Sequence, residues 1–247
     1  MNRLEHLAKF QELLAHYHIS EASKRILKKT ELVLLTAPTS TGRNTIIRSL
    51  VKTQDYHFII SDTTRQPRVQ DGVLEQNGVD YWFRSEEDVL TDLRNGKFLE
   101  AAIIHNQQVS GVSVREIEAA KSENKIPITD IEIVGVHTFM QAKPDAFAIF
   151  VLPPSFEEWQ NRIRGRGQMH NSEFRRRLES AAWEYAASLE HNYYRFVIND
   201  TVEQAAERIH ELVVLGMEDK IAQSHARDLA ERLYLETQNF LKKLAKK

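Results

Sequence analysis

The segment from Thr36 to Ile47, TAPTSTGRNTII, lies between an apolar run and a helix-forming run, which is the setting of a phosphate-binding loop. Such a loop reads G-x-x-x-x-G-K-[ST] and binds phosphate through backbone N–H groups and the positive end of the helix. Gly42 is present, whereas Arg43 replaces the lysine and Asn44 replaces the hydroxyl that binds Mg²⁺. The Asn44 amide oxygen is a weaker ligand for that ion. Taken alone, the segment is equally compatible with an ordinary strand–turn–helix.

A second chemical feature is a concentration of arginines. Between positions 160 and 178 the chain has six arginines and one acid, Glu173. Like charges in one segment repel unless an anion neutralises them, and a transferring phosphoryl group is such an anion. A solvated basic helix face or a nucleic-acid patch is the alternative.

A third feature is the segment SDTTRQPR, residues 61–68, which is followed by DYWF at 80–83. Two arginines three positions apart, Arg65 and Arg68, together with hydroxyls and Tyr81, suit a second phosphate held away from the first. A loop capped by threonine hydroxyls, with its arginines in solvent, is equally compatible with this pattern.

Alternating apolar runs and amphipathic segments must position these features. Strands are predicted at 32–35, 58–60, 126–133, 146–152 and 195–198, and helices at 20–28, 85–95, 156–164, 172–190 and 202–215. Residues 69–80 read as a loop or hairpin, and helical spacing marks both 3–28 and 217–247. Strands that alternate with helices predict a three-layer α/β fold with a mainly parallel sheet. The terminal helices are expected to pack on the surface of this core.

Composition limits the classes of protein. The 247 residues are 42% hydrophobic and 28% charged, as in ordinary globular proteins, and the net charge of -2 argues against a nucleic-acid-coating protein. The absence of cysteine excludes disulfides, thiolate metal sites and a cysteine nucleophile. No apolar stretch approaches the roughly 20 residues of a membrane helix, and the charged, amphipathic N-terminus does not read as a signal peptide. We therefore expect a cytoplasmic protein without a nucleic-acid or membrane partner.

Taken in order along the chain, the motifs resemble those of the guanylate kinase family from about Leu32 to Val213. The matching elements are S-x-T-T-R-x-P-R at 61–68, G-x-D-Y-x-F at 78–83, GKFLE at 96–100, FVLPPS at 150–155, R-x-x-x-R-G at 162–167 and VIND at 197–200. The resemblance implies a P-loop NTPase fold with a small mixed GMP-binding subdomain at about 61–130 and a helical lid at about 160–178. This domain would occupy 31–215, between helical extensions at 1–30 and 216–247.

The resemblance also implies roles for individual residues. GMP would be bound by Ser61, Arg65, Arg68, Tyr81, Glu100 and Glu132. ATP would be bound by Thr39, Ser40, Thr41, Gly42, Arg43, Asn44, Thr45 and Asn199. The catalytic group would be Arg43, Arg162, Arg166, Arg177 and Asp130, and Mg²⁺ would accompany ATP with Asn44 as its candidate ligand.

The sequence departs from the family pattern mainly in the ATP loop. Ala37 and Ser40 stand where the family has glycines, and Arg43-Asn44 replaces Lys-Ser. The stretch between Arg68 and Tyr81 is longer than usual, and Ser110 stands where a second phosphate-binding tyrosine is expected.

Three functions follow from this mixture. The first is phosphoryl transfer from ATP to GMP, giving ADP and GDP. The second is a weakly active or inactive module that binds GMP or phosphopeptides, and the third is a kinase for another phosphorylated small molecule. In each case the terminal helices are candidates for a homodimer contact or for a protein partner.

Overall fold

The structure, a computed structural model, describes residues 3–70, 72–165 and 169–245. The described residues form helices α1 (Leu7–Ala15), α2 (Glu21–Lys28), α3 (Arg43–Lys52), α4 (Glu86–Arg94), α5 (Val114–Ser122), α6 (Ile133–Ala142), α7 (Phe156–Arg164), α8 (Asn171–Leu189), α9 (Val202–Val214) and α10 (Lys220–Leu244). The strands are β1 (Val33–Thr36), β2 (Tyr56–Phe58), β3 (Asp62–Thr63), β4 (Val69–Gln70), β5 (Val73–Leu74), β6 (Trp82–Phe83), β7 (Phe98–Ile104), β8 (Gln108–Ser113), β9 (Ile126–Asp130), β10 (Phe147–Leu152) and β11 (Tyr194–Ile198).

The chain divides into two compact units. The first contains the N-terminal residues up to Glu31 together with Tyr56–Pro127 and Gln141–Pro144. The second contains Leu32–Asp55, Ile128–Met140 and the chain from Asp145 onward.

The second unit is built on parallel strands. They lie in the order β11-β10-β1-β9, and Leu35 of β1 is in register with Ile149 on one side and Asp130 on the other. Every residue of β1 is buried, which confirms the prediction of a strand covered on both faces. The carboxyl ends of these strands therefore lie at one edge, where α/β proteins bind ligands.

The first unit contains a mixed sheet with the order β6-β3-β8-β7. Strand β3 is parallel to β6 and antiparallel to β8, and β8 is antiparallel to β7. Strands β4 and β5 form a separate antiparallel pair, so the predicted loop or hairpin at 69–80 is a hairpin. The α/β class with a mainly parallel sheet and a second, mixed sheet is confirmed.

Side-chain caps fix several helix boundaries. Ser155 accepts a hydrogen bond from the Glu158 N–H at 3.1 Å, and α7 then spans the predicted residues. Ser85 caps α4 through the Asp88 N–H in the same way. The strand predicted over 126–133 was wrong beyond Asp130, because the chain turns there into α6.

The terminal helices pack on their own chain, as expected. Phe10 of α1 is fully buried in a cluster with Leu90, Leu93 and Phe98 in the first unit. In the second unit the Gln223 side chain of α10 bonds to both the N–H and the carbonyl of Phe196, at 3.0 and 3.2 Å. Helix α10 thereby covers backbone groups of the edge strand β11. Among the described helices, none is both long enough and apolar enough to span a membrane.

Candidate functional site

The loop between β1 and α3 depends on the glycine at its end. Gly42 has φ +94°, a left-handed conformation that favours glycine. A Cβ at this position would lie 2.2 Å from Nδ2 of Asn199, whose amide donates to the Thr41 carbonyl at 2.6 Å. The close approach and the backbone angle both require glycine here. The Asn199 side chain therefore holds the loop in shape, and its contact with ATP stays a prediction.

Two further contacts shape the same loop. The indole Nε1 of buried Trp159 donates to the Thr39 carbonyl at 2.8 Å, and Thr41 Oγ1 donates to the Pro38 carbonyl at 3.0 Å. Ser40 has φ +66°, which costs a residue with a side chain about 1 kcal/mol or more. Its buried hydroxyl has no hydrogen-bond partner among the described residues. Ser40 thus adopts the left-handed conformation that glycine favours, and its hydroxyl is available to hydrogen-bond a ligand.

The loop surrounds a cavity of about 200 Å³, lined by residues 37–45 and by Arg48. The first N–H groups of a helix have no partner within the helix, and α3 begins at Arg43 beside this cavity. Asn44 and Thr45 lie exposed in that first turn. Backbone donors, a helix dipole and a cation therefore converge on one small space, which suits a phosphate group.

The cation of the loop is paired with an acid. Arg43 Nη2 lies 3.2 Å from Asp130 Oδ2, and Nη1 donates to the Ile131 carbonyl at 3.3 Å. The two side chains are 25% and 33% exposed, so the pair is worth about 0–1 kcal/mol and can be exchanged for another anion. The structure brings two of the predicted catalytic residues together.

A second carboxylate, Glu184 of α8, interacts electrostatically with Arg43 and Glu132. Its pKa is raised to about 7, mainly by burial; the hydrogen bond from Ser180 and the charge of Arg43 act against this rise, and the charge of Glu132 adds to it. The Ser180 hydroxyl lies 2.8 Å from Glu184 Oε1. Sequence reasoning missed this residue, because only the folded chain shows its burial and its charged neighbours.

Two of the predicted lid arginines, Arg162 and Arg177, lie on α7 and α8. Both terminal nitrogens of Arg162 contact the Asn199 carbonyl at 3.2 Å, and its Nε contacts Glu158 at 2.9 Å. Arg177 pairs with Glu173 at 2.9 Å. The third, Arg166, lies outside the described residues.

The described residues contain no group of three or more His, Asp or Glu side chains arranged to hold a metal ion. Mg²⁺ in phosphoryl-transfer enzymes is often held by one or two protein oxygens together with the substrate phosphates. The exposed Asn44 at the start of α3 is compatible with that role, and it stays a candidate.

The second predicted phosphate site, around Arg65, belongs to the first unit. Arg65 forms two hydrogen bonds to the Glu75 carboxylate, at 2.5 and 2.8 Å, and its guanidinium lies 4.7 Å from the centre of the Tyr81 ring. The hydrogen bonds from Arg65 are the main reason that the pKa of Glu75 falls to about 2. Glu75 also accepts the Arg68 backbone N–H at 2.8 Å. Arg65 is therefore held in one orientation, with Tyr81 beside it and the Arg68 side chain exposed.

The other predicted GMP-binding residues are Ser61, Glu100 and Glu132. The Ser61 carbonyl accepts the Trp82 N–H at 2.9 Å, and Glu100 lies on β7 in register with Val112. Ser110, in the place of the expected tyrosine, donates to Thr63 at 3.0 Å. Glu132 belongs to the second unit.

Buried Asp62 supports the strand that carries this segment. It accepts hydrogen bonds from Arg84 at 2.9 Å and from Arg115 at 3.1 Å, while burial raises its pKa. These ion pairs link β3 to the residue that follows β6 and to helix α5. The roles of Asp62 and Glu75 were not predicted, because no sequence pattern indicates which arginines they pair with.

A loop between a buried parallel strand and a helix, closed by a required glycine and accompanied by arginines, is the arrangement found in P-loop proteins. Residues 29–214 match the family model described as guanylate kinase. The chain therefore belongs to the guanylate kinase family.

Curated relatives agree with this assignment. The guanylate kinase of Corynebacterium diphtheriae is 35% identical over 185 residues, which cover 74% of this chain and 94% of that protein. The guanylate kinase of Synechocystis sp. is 33% identical over 186 residues, covering 75% and 94%. The crystal structure of guanylate kinase from Anaplasma phagocytophilum matches with a TM-score of 0.54 at 25% identity, covering 84% of this chain and 97% of that one.

Proposed function

We propose that this protein transfers the γ-phosphoryl group of ATP to GMP, giving ADP and GDP. In this reaction a phosphate oxygen of GMP bonds to the γ-phosphorus while the bond to the β,γ-bridging oxygen breaks, and ADP leaves. Family membership supports the reaction class. The observation that supports it in this chain is the prepared acceptor site, in which Arg65 is already oriented over Tyr81.

In the acceptor half, Arg65, Arg68 and Tyr81 bind the phosphate of GMP. Glu75 accepts hydrogen bonds from both terminal nitrogens of Arg65, so the phosphate would meet the N–H groups of the guanidinium that Glu75 does not use. A guanidinium that is already held in place loses little freedom on binding. Ser61, Glu100 and Glu132 contact guanine, with the carboxylates accepting hydrogen bonds from the N–H edge of the base. The longer 69–77 segment supplies Glu75 as the partner that holds Arg65.

In the donor half, the N–H groups at the start of α3 bind the ATP phosphates, with residues 39–45 as the loop. Arg43 leaves Asp130 and takes the phosphates as its partner, an exchange that costs little for a pair this exposed. Asp130 is then free to accept a hydrogen bond from a water molecule or a ligand. Asn199 acts mainly by holding the loop.

The lid arginines Arg162, Arg166 and Arg177 neutralise charge on the transferring group, which is the main contribution that a protein makes to this chemistry. The partners of Arg162 and Arg177 are surface carboxylates and a carbonyl, so both can be exchanged for phosphate. Mg²⁺, if bound with ATP, would neutralise part of the phosphate charge. Asn44 is its proposed protein ligand. A cytoplasmic location stays a prediction.

A coupled assay of ADP release with ATP, Mg²⁺ and GMP tests this function, with Arg177→Ala beside the parent protein. GMP-dependent ADP release that falls at least about 10-fold in Arg177→Ala supports the proposal. If neither protein releases ADP in response to GMP, phosphoryl transfer to GMP is excluded.

The Arg43–Asp130 contact favours a second function, a module that binds GMP or a phosphorylated peptide without catalysis. In that case calorimetry would detect binding of GMP or of a phosphoserine peptide to the inactive parent, and Arg65→Ala would abolish it. A kinase for another phosphorylated small molecule would release ADP with a different acceptor. A homodimer or protein partner through the terminal helices stays a prediction.

A further inference from the structure

We propose that Phe240, on the C-terminal helix α10, is a positioning residue that holds the lid helices and the ATP loop in their working arrangement. The inference rests on the proposed function, because the elements that it positions are those of the ATP half-site. Helix α10, which lies outside the region that matches the family, would then support catalysis by positioning other elements.

Phe240 contacts both sides of the lid segment. Its ring centre lies 5.7 Å from that of Phe156 and 6.2 Å from that of Phe174, with interplanar angles of 61° and 85°. Phe156 is the first residue of α7, and Phe174 lies in the first turns of α8. These are the favourable edge-to-face geometries of aromatic pairs. One side chain of α10 therefore contacts both lid helices, α7 and α8.

A chain of contacts continues from Phe156 to the ATP loop. The Phe156 ring lies 5.9 Å from that of Trp159, one turn further along α7. Trp159 is fully buried and donates its indole N–H to the Thr39 carbonyl at 2.8 Å. Two ring contacts and one hydrogen bond thus connect Phe240 to the loop that would hold the ATP phosphates.

The same contacts orient helices that carry arginines. Arg162 lies on α7 one turn after Trp159 and contacts the Asn199 carbonyl, while Arg177 lies on α8 one turn after Phe174. The guanidinium of Arg164 lies 5.4 Å from the centre of the Phe174 ring. A shift of either helix would move these charges, and misplacing a reacting group by about 1 Å costs on the order of 100-fold in rate.

Helix α10 is an addition to the matched domain. The family match ends at residue 214, and α10 begins at Lys220. The Corynebacterium relative has 94% of its length covered by the matched part of this chain, which leaves little sequence for a 25-residue helix. In this chain α10 packs against the lid helices α7 and α8, and the relative is too short to contain a comparable helix after its matched region.

Helix α10 is anchored independently of Phe240. Gln223 bonds to the backbone of Phe196, Arg227 donates to the Leu189 carbonyl at 2.6 Å, and Leu233 is fully buried. Phe240 itself is half-buried near the end of the helix. Its truncation is therefore expected to leave the helix attached and to loosen the lid helices, which separates positioning from folding.

The test compares Phe240→Ala and Phe240→Tyr with the parent and with Leu235→Ala, an exposed residue of the same helix. We expect Phe240→Ala to lower kcat by ~10-fold or more and to raise the KM for ATP several-fold. The KM for GMP should change less than twofold, and Phe240→Tyr, which keeps the ring, should restore the parent values. Leu235→Ala should behave as the parent.

Two further measurements make the outcome decisive. In the double variant Phe240→Ala/Trp159→Phe, the loss should be smaller than the product of the single losses, because both act on one contact chain. Unchanged kinetics in Phe240→Ala with an active parent would overturn the inference, as would equal losses for ATP and GMP that follow a lower Tm. If the parent is inactive, the proposed function has failed. Calorimetry with ATP then decides the positioning claim, which requires weaker ATP binding and unchanged GMP binding.

Discussion

Arg43 and Asp130 lie 3.2 Å apart, so the cation in the position of the P-loop lysine is paired with the acid that ends the neighbouring strand β9. The planar guanidinium also reaches the Ile131 carbonyl at 3.3 Å. A lysine ammonium is a compact point charge without this fork, so it could not keep both contacts in the same geometry. The cation of this loop must therefore leave Asp130 before it binds the phosphates of ATP.

Restoring the lysine should favour ATP. In Arg43→Lys we expect the KM for ATP to fall by up to ~5-fold, because the ammonium is less firmly held by Asp130 and Ile131 and the exposed ion pair is worth at most about 1 kcal/mol. Arg43→Ala should lose at least about 100-fold in kcat/KM. Initial rates against ATP measure both effects, and Lys52→Arg, at the far end of α3, is the matched control. A lysine variant no better than the alanine variant would show that the loop requires the guanidinium.

Removing the charge of Glu75 should weaken GMP binding selectively. Glu75→Gln loses the charge-assisted bonds that orient Arg65, so we expect the KM for GMP to rise by ~10-fold while the KM for ATP stays constant. Initial rates against GMP at saturating ATP measure this, with the exposed Glu118→Gln as control. Since the pKa of Glu75 is about 2, the difference should persist from pH 5 to pH 8. An unchanged KM for GMP would mean that Arg65 needs no such partner.

The close packing at Gly42 predicts a large cost for any side chain. Gly42→Ala places a Cβ 2.2 Å from Asn199 Nδ2 and also strains a residue with φ +94°, so we expect a lower Tm and loss of ATP binding. Gly216→Ala is the matched control, because Gly216 has φ +62° with open space around it. The control carries only the backbone strain of about 1–2 kcal/mol. Equal Tm losses in both variants would remove the Asn199 contact from the explanation.

Glu184 should make stability fall as pH rises. Its folded-state pKa of about 7 lies above the ordinary 4.5, so the folded chain holds an extra proton between these values, and its free energy of unfolding decreases across that window. Glu184→Gln cannot ionise, so we expect it to be more stable than the parent at pH 8 by on the order of 1–3 kcal/mol, and similar at pH 4.5.

Urea unfolding at the two pH values measures the Glu184 effect. Glu179→Gln, an exposed acid on the same helix, is the control. A parent and a Glu184→Gln variant that differ equally at both pH values would contradict a titration of Glu184 in this window.

Local patterns in the sequence were sufficient for much of the fold. Four consecutive apolar residues identify β1, and the helix predicted over 156–164 is α7. The β7–β8 hairpin was missed because its turn uses positive φ at His105 and Asn106, without the Asn-Gly pair that usually marks such a turn. Helix α6 was missed because its β-branched start reads as a strand, and tertiary contacts override that propensity.

The candidate site was predictable in its residue types but not in its contacts. The motifs identify Arg43, Asp130 and Arg65, whereas their pairings are properties of the folded chain. Arg43 and Asp130 are 87 positions apart, and Trp159 lies 120 positions from Thr39. Spacing in a sequence carries information over one or two turns of helix, and separations of this size lie far beyond that range.

The most direct measurement is phosphorus NMR of the protein mixed with ATP, Mg²⁺ and GMP. We expect the γ-phosphate signal of ATP and the monophosphate signal of GMP to decrease together while the β-phosphate signals of two nucleoside diphosphates increase in equal amounts. Release of inorganic phosphate alone would identify an ATPase. An unchanged spectrum would contradict phosphoryl transfer to GMP.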